Sequence, residues 1–207
     1  MNNKTEIVYV VDDDEAVRDS LTWLLESNGY TVKCQPSAER FLQALQGDHK
    51  ETVSCLILDV RMPGMSGLEL QERLLAEGIP MPISFITGHG DVSMAVSTMK
   101  KGAIDFIEKP FKESELKVLV EKMLARARID YAKADTQKNT QNLLSKLTGR
   151  EKQVLERIVA GRLNKQIADD LNISIKTVEA HRANIMEKLN VNTVADLLRL
   201  ALSESNN

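Results

Sequence analysis

Five short apolar runs alternate with amphipathic stretches over the first 111 residues, and this alternation constrains the fold more than any other feature of the chain. The runs are IVYVV (7–11), YTVKC (30–34), CLIL (55–58), ISFIT (83–87) and AIDFI (103–107). Short apolar runs separated by longer helix-like segments are typical of buried strands. Strands that alternate with helices predict a five-stranded parallel sheet that is covered by helices on both faces.

The stretches between and after the runs carry apolar residues at helical spacing. Five helices are predicted, around Leu21–Leu25, Phe41–Leu45, Leu68–Leu75, Met94–Met99 and Leu116–Leu124. Glycines are expected to end several of them, at Gly29, Gly47, Gly78 and Gly102. The fifth helix is predicted to run into a polar, weakly periodic stretch, residues 125–146, which contains a linker up to about residue 145.

After Leu147 the pattern indicates helices only. Thr148 and Glu151 have the spacing of a capping box, which predicts the start of a helix that ends near Gly161. Further helices are predicted over 164–171, 175–189 and 194–202, with a short turn between the first two. Two helices joined by a turn of three or four residues have the layout of a DNA-binding helix-turn-helix.

Charge and apolar content exclude some classes of protein. The net charge is −3, and it is uneven: residues 1–126 carry −6 and residues 146–207 carry +2, which hints at two modules but not at a basic patch. No apolar run approaches the roughly 20 residues of a membrane span, and the N-terminal residues are not expected to act as a signal peptide. Cys34 and Cys55 lie in strand-like runs and are interpreted as buried thiols of a cytosolic protein.

Polar side chains follow four of the five predicted strands. Asp12, Asp13 and Asp14 follow the first, Asp59 the third, Thr87 the fourth and Lys109 the fifth. Because ligands bind outside the carboxyl ends of parallel strands, these groups are expected to meet. Several carboxylates at one edge favour a bound Mg²⁺, and an acid beside the metal could act as a nucleophile toward a phosphoryl group. Each residue also has a simpler interpretation, since acids at strand ends often only cap the next helix.

The chain resembles the two-component response regulators, and most closely the FixJ type within the NarL/FixJ subfamily. The resemblance rests on VVDDDEAVR (10–18), LILDVRMPGMSGLEL (56–70), FITGHGD (85–91), FIEKPF (106–111) and the LuxR-type helix-turn-helix pattern over 147–191. It implies a flavodoxin-like doubly wound receiver over 1–126, a helical linker over 127–145 and a small all-α DNA-binding domain over 146–207.

The resemblance also implies roles for individual residues. Asp59 would accept a phosphoryl group from a sensor histidine kinase, with Thr87 and Lys109 contacting that group. The Lys109–Pro110 bond is expected to be cis, and Phe106 occupies the switch position, where it lacks the hydroxyl of a tyrosine. The Mg²⁺ ligands would be Asp12, Asp13, Asp59 and the backbone carbonyl of Arg61. Phosphorylation is expected to promote homodimerisation, release of the DNA-binding domain, or both, with RNA polymerase as a further candidate partner and no membrane partner.

The helix over 175–189 is the predicted recognition helix, because its outer face carries polar residues opposite Val178, Ile185 and Leu189. Residues on or beside that face are predicted to reach the base edges of double-stranded promoter DNA: Lys176, Thr177, Glu179, Ala180, Ala183 and Asn184. Three basic residues are predicted to contact phosphates instead: Lys165, Arg182 and Lys188.

The residues leave two rival functions open. An aspartyl-phosphate phosphatase or phosphotransferase would use the same chemistry, but it usually carries a second acid two residues after the nucleophile, where this chain has Arg61. A receiver with a protein-binding helical tail is the other rival, because Glu179 and Glu187 are acids on the predicted recognition helix. The favoured prediction is a regulator of transcription that is not an enzyme.

Overall fold

The computed structural model describes residues 5–45, 52–88 and 103–205. The chain divides into two compact units, Met1–Tyr131 and Ala132–Asn207. Each unit has hydrophobic clusters of its own. The boundaries predicted near residues 126 and 146 remain predictions. No helix in the described part of the chain combines the length and the apolar character that crossing a bilayer requires.

The first unit contains a parallel sheet in the order β2-β1-β3-β4-β5. Its strands are β1 (Glu6–Val11), β2 (Thr31–Gln35), β3 (Val53–Asp59), β4 (Ile83–Thr87) and β5 (Asp105–Glu108). All five predicted strands are therefore present. The last one begins two residues later than its apolar run, because the pairing with β4 starts at Asp105, opposite Ser84.

Three described helices lie within the first unit: α1 (Glu15–Ser27), α2 (Ala38–Leu45) and α3 (Gly67–Ala76). A fourth, α4 (Glu113–Ser145), begins in the first unit and continues into the second. Gly29 and Gly78 follow α1 and α3 with positive φ angles of 87° and 65°, as expected of glycines at helix ends. The helix predicted around Met94–Met99 and the helix ends predicted at Gly47 and Gly102 lie outside the described residues. The whole of the predicted linker, residues 127–145, lies within α4.

Helices cover both faces of the sheet, which explains why the central strands β1, β3 and β4 are almost entirely buried and mostly apolar. The edge strands β2 and β5 alternate between more and less buried residues. Along β1, Tyr9 and Val11 pack in a cluster with α2 and α3, while Val8 and Val10 pack in another with α1 and α4. The predicted doubly wound fold is confirmed. Cys55 is fully buried, but Cys34 is only half-buried, because β2 lies at the edge of the sheet; both thiols are free.

The second unit consists of helices. They are α5 (Gly149–Val159), α6 (Asn164–Leu171), α7 (Ile175–Lys188) and α8 (Val194–Ser205). The predicted capping box is present at the start of α5, where Thr148 Oγ accepts from the Glu151 amide at 3.3 Å. Between α6 and α7, Asn172 has a left-handed backbone with φ of 53°, so the chain turns within three residues. The predicted burial of Val178, Ile185 and Leu189 is confirmed.

Candidate functional site

Asp12, Asp59 and Lys109 meet at the carboxyl edge of the sheet. Asp12 follows β1, Asp59 ends β3 and Lys109 follows β5. The Lys109 Nζ donates to Asp12 Oδ2 at 2.9 Å and to Asp59 Oδ1 at 3.2 Å. One ammonium thus lies against two carboxylates that are 47 residues apart in sequence.

The strand order explains why these residues meet. The parallel register places Val11 beside Leu58, so the residues after them, Asp12 and Asp59, leave neighbouring strands at the same level. The order of the strands reverses between β1 and β3, and this is where open parallel sheets bind ligands. Lys109 reaches the same point because its amide donates to the Thr87 carbonyl at 2.8 Å, which extends the β4–β5 pairing.

Burial and neighbouring charges both change the pKa values of Asp59 and Lys109. Burial raises the pKa of Asp59, the Lys109 ammonium opposes this, and the Asp12 carboxylate adds to it. For Lys109, burial alone would lower the pKa, but the hydrogen bond and charge of Asp12, together with Asp59, raise it overall. The Lys109 ammonium therefore stays protonated and can neutralise an anionic group that is placed beside Asp59.

The loop after β3 is fixed closely against Asp59. The Arg61 amide donates to Asp59 Oδ2 at 2.7 Å, so both carboxylate oxygens have a partner. At the first position of α3, the amide of Gly67 donates to the Val60 carbonyl at 3.1 Å. A Cβ atom on Gly67 would lie 2.1 Å from the Asp59 carbonyl oxygen, which explains the need for glycine there.

The three consecutive acids after β1 have different surroundings. Asp12 is buried, whereas Asp13 is exposed. The guanidinium of Arg18 donates to the carbonyls of Asp12 and Asp13, at 2.7 and 2.9 Å, and so holds their backbone. Asp14 caps α1 by accepting from the Ala16 amide at 2.9 Å, so for this acid the simpler interpretation holds. Sequence reasoning did not single out Arg18.

The acids at the site suit a hard cation in type and in spacing. Asp12 and Asp59 each place one oxygen within hydrogen-bonding distance of the same ammonium, so both can contact a single positive charge. Carboxylate oxygens are the ligands that Mg²⁺ prefers. Within the described ranges, no group of three or more Asp, Glu, His or Cys side chains is arranged to hold a metal. The ligand roles of Asp13 and of the Arg61 carbonyl remain predictions.

Thr87 and Phe106 lie on neighbouring strands next to the site. Thr87 ends β4, is buried, and donates through Oγ1 to the Gly88 carbonyl at 3.0 Å. Phe106 on β5 is 40% exposed, so it does not fill the core. Ile104, just before β5, packs against the cluster formed with α1 and α4. The expected cis bond between Lys109 and Pro110 is present.

The outer face of α7 carries the predicted base-reading residues, all of which are exposed. They are Lys176, Thr177, Glu179, Ala180, Ala183 and Asn184. Lys165 on α6 is exposed too, and Arg182 is half-buried. Lys188 differs from these residues, because its Nζ donates to both oxygens of the Glu151 carboxylate, at 2.9 and 2.7 Å. The structure thus gives Lys188 a partner within the protein.

This pair makes the stability of the second unit depend on pH. The hydrogen bond from Lys188, aided by the Thr148 amide, lowers the pKa of Glu151 from 4.5 to about 2. Because the pKa of Glu151 in the folded chain lies below its unfolded value of 4.5, the pair stabilises the fold at pH values above 4.5. This stabilisation disappears as the pH falls toward 2.

We expect Glu151→Gln to lower the midpoint of urea unfolding at pH 6 and to have a much smaller effect at pH 2. If Glu151→Gln lowered the unfolding midpoint equally at both pH values, the pair with Lys188 would not be the source of the pH dependence.

Comparisons with known families agree with the two units. Residues 8–121 match the response regulator receiver domain. Residues 145–201 match the bacterial regulatory proteins of the luxR family. The first match includes the site at Asp59, and the second includes the exposed face of α7.

Two relatives of known function are similar to this chain in sequence over most of their length. The chain is 43% identical to the transcriptional regulatory protein FixJ of Bradyrhizobium diazoefficiens over 195 residues, which cover 94% of each chain. It is 42% identical to the response regulator protein TodT of Pseudomonas putida over 200 residues, 97% of this chain and 87% of that protein.

Solved structures extend the similarity to three dimensions. The structure of the response regulator StyR is 46% identical and has a TM-score of 0.84, covering 96% of this chain and 98% of that one. The crystal structure of full-length FixJ from B. japonicum is 40% identical with a TM-score of 0.58, covering 99% and 98%. The chain therefore belongs to the two-component response regulators of the NarL/FixJ subfamily, with a receiver domain followed by a LuxR-type DNA-binding domain.

Proposed function

We propose that Asp59 accepts a phosphoryl group from a sensor histidine kinase, and that this modification controls binding of the second unit to double-stranded promoter DNA. The observation that carries the proposal is the position of the Asp59 carboxylate, which ends β3 and lies 3.2 Å from the Lys109 ammonium beside Asp12. An acid held this way can attack phosphorus, while a fixed cation next to it stabilises the charge that develops.

The transfer step follows from the contacts of Asp59. One Asp59 oxygen forms a bond to phosphorus as the bond between phosphorus and the donor histidine nitrogen breaks, and that electron pair returns to the histidine. Oδ2 is held by the Arg61 amide, so Oδ1, on the Lys109 side, is the oxygen that we assign as nucleophile. Lys109 and the Thr87 hydroxyl then contact the phosphoryl oxygens. We infer that the acyl phosphate is a signal and not an intermediate of enzymatic turnover.

A bound Mg²⁺ would neutralise charge on the phosphoryl oxygens. We assign Asp12, Asp13, Asp59 and the backbone carbonyl of Arg61 as the groups that would hold it. Arg18 supports this set, because it fixes the backbone of Asp12 and Asp13 from one side.

Asp13→Ala should raise the Mg²⁺ concentration that half-saturates phosphorylation by at least about tenfold, since losing even an outer partner of a metal ligand costs that much. The measurement is the phosphorylation rate with a small acyl phosphate across a Mg²⁺ titration. Asp14→Ala is the matched control, because it removes a neighbouring acid that caps α1 and should leave the Mg²⁺ dependence unchanged. Equal Mg²⁺ dependence of wild type and Asp13→Ala would remove Asp13 from the ligand set.

The exposed face of α7 is proposed to enter the major groove of promoter DNA. Asn184 can read adenine, Glu179 can accept from cytosine, and Ala180 and Ala183 can contact thymine methyl groups. The remaining proposed contacts come from Lys176 and Thr177 near the start of the helix, and from Lys165 and Arg182 to phosphates. Binding to chromosomal DNA would place the action of the protein in the cytoplasm, with RNA polymerase as a candidate further partner.

We also infer that the phosphorylated chain forms a homodimer. Phe106 on β5 and Val118 on α4 are 40% and 69% exposed and line a groove of about 580 Å³. The same groove carries charged residues of both signs, Asp105, Glu115 and Lys122. Exposed apolar residues with a charged rim suit contact with another protein surface. Phe106 lies on the strand next to that of Thr87, opposite Phe85.

Selection of bound duplexes from a random pool tests the proposed function. The full chain, treated with a small acyl phosphate and Mg²⁺, should enrich one sequence with two related half-sites, because a dimer places two α7 helices on the duplex. This product is called the selected duplex below. Enrichment of no sequence by the phosphorylated chain would contradict the proposal.

A further inference from the structure

The carboxylate of Glu151 is the most completely paired acid of the second unit among those the structure describes. Only 3% of Glu151 is exposed. Its Oε2 accepts from the Thr148 amide at 2.7 Å and from the Thr148 hydroxyl at 2.9 Å. Lys188 adds an ammonium that contacts both oxygens. The acid thus binds the residue before α5 and the last residue of α7 at the same time.

Lys188 is well placed to control how α7 lies. It is the final residue of that helix, where a cation also interacts favourably with the helix dipole. At the other end, the Ser174 hydroxyl accepts from the Thr177 amide at 3.1 Å, and Val178 and Ile185 bury the inner face. The last turn is held in part by the buried Ile185 and by the Val191 amide, which donates to the Met186 carbonyl at 3.0 Å. The ion pair adds the tie between this turn and the start of α5.

We propose that Glu151 is a positioning residue for the recognition helix, acting through Lys188, and that Lys188 is committed to this pair and not to a DNA phosphate. The proposal rests on the DNA binding proposed above. Fourteen residues make α7 about 21 Å long. Loosening its last turn therefore shifts Asn184 and Ala183, which are proposed to read bases, more than it shifts the capped first turn.

A phosphate contact for Lys188 predicts different behaviour. A lysine that neutralises a phosphate contributes to the salt dependence of binding, and its loss reduces the salt slope by about 1 without changing the preference between sequences. A positioning pair behaves the opposite way. Its loss reduces the preference between sequences, and the salt slope does not change, because the number of phosphate contacts stays the same.

The test measures affinity of the phosphorylated full chain for the selected duplex and for a scrambled duplex of the same length and composition. Glu151→Gln and Lys188→Met should each lower the ratio of the two affinities by about tenfold, as for a lost charge-assisted hydrogen bond. The double variant should lose no more than either single variant. Lys188→Arg, which keeps the charge and the donors, should retain most of the ratio.

Two control variants have matched chemistry. Glu156→Gln removes an exposed carboxylate from the same helix, α5, and should change neither the ratio of the two affinities nor the salt slope of binding. Lys165→Met removes an exposed lysine that is proposed to contact a phosphate, and should reduce the salt slope by about 1 while keeping the ratio. If Lys188→Met behaves like Lys165→Met, and Glu151→Gln keeps the ratio, the positioning role is wrong.

Hydrogen exchange of the full chain without DNA gives a second readout that does not depend on the operator. Glu151→Gln should increase exchange of the amides over 185–188, whereas peptides from α1 and α3 should exchange as in wild type. Unchanged exchange over 185–188 would overturn the proposal even if DNA binding were weakened. A wild-type chain that does not distinguish the two duplexes would instead contradict the proposed function, which separates the two failures.

Discussion

Replacement of Asp59 by Asn is expected to abolish phosphorylation of the chain. The amide keeps the size of the side chain and can still accept from the Arg61 amide, but its oxygen lacks the negative charge of the nucleophile. Wild type treated with a small acyl phosphate and Mg²⁺ should gain the mass of one phosphoryl group per chain. Intact-protein mass spectrometry should find no such gain for Asp59→Asn.

The matched control for this change is Asp14→Asn. It converts a nearby acid to an amide at the cap of α1, where Asn is as good a capping residue as Asp. This variant should therefore be phosphorylated as wild type. An equal gain of mass in Asp59→Asn and wild type would show that another side chain accepts the phosphoryl group, and would remove the basis for the site.

Gly67→Ala is expected to disrupt both the fold around the site and its reactivity. The added Cβ would lie 2.1 Å from the Asp59 carbonyl oxygen and 3.0 Å from Cγ of Leu58, which is completely buried. Backbone and core atoms cannot move away cheaply, so the variant should lose at least about 1–3 kcal/mol of unfolding free energy. Any relief that shifts the Asp59 backbone also shifts its carboxylate, and phosphorylation should slow.

Urea unfolding and the phosphorylation rate measure the two effects of Gly67→Ala. Gly149→Ala is the matched control, because Gly149 also occupies the first position of a helix, α5, and a Cβ there meets no atom within 4 Å. That change should be neutral or slightly stabilising. If Gly67→Ala matched Gly149→Ala in stability, the close approach to Asp59 would not explain the glycine.

The sequence predicted the central strands well, because strands that are buried on both faces consist mostly of apolar residues. The run at 83–87 coincides with β4, where every residue is buried. At the sheet edge the agreement is weaker, since Ala103 is buried but pairing starts only at Asp105. The extension of the fifth helix through the polar stretch agrees with its composition, because residues 127–145 contain neither glycine nor proline to end it.

The site could be predicted where a residue follows a strand directly. Asp12, Asp59 and Lys109 were expected to meet because parallel strands deliver their next residues to one edge. Arg18 and Gly67 were not singled out, because their roles depend on backbone atoms of other segments, which no spacing rule reveals. Glycine at the first helical position after the Ser66 cap was the available signal for Gly67.

The role predicted for Lys188 shows a similar limit. Helical periodicity assigns a residue to a face, and it placed Val178 and Ile185 correctly in the core. It does not reveal a partner 37 residues away, so the pair with Glu151 could not be foreseen. The phosphate contact of Lys188 stays a prediction, and its ammonium contacts a carboxylate inside the unit.

Control of DNA binding by phosphorylation of Asp59 is tested most directly by the affinity of the full chain for the selected duplex before and after treatment with acyl phosphate and Mg²⁺. Phosphorylation should tighten binding by about 5- to 150-fold, the usual range of coupling between two sites. The Asp59→Asn chain should keep the affinity of the unmodified protein under both conditions. Equal affinity of the modified and unmodified wild-type chains would show that the receiver does not control DNA binding.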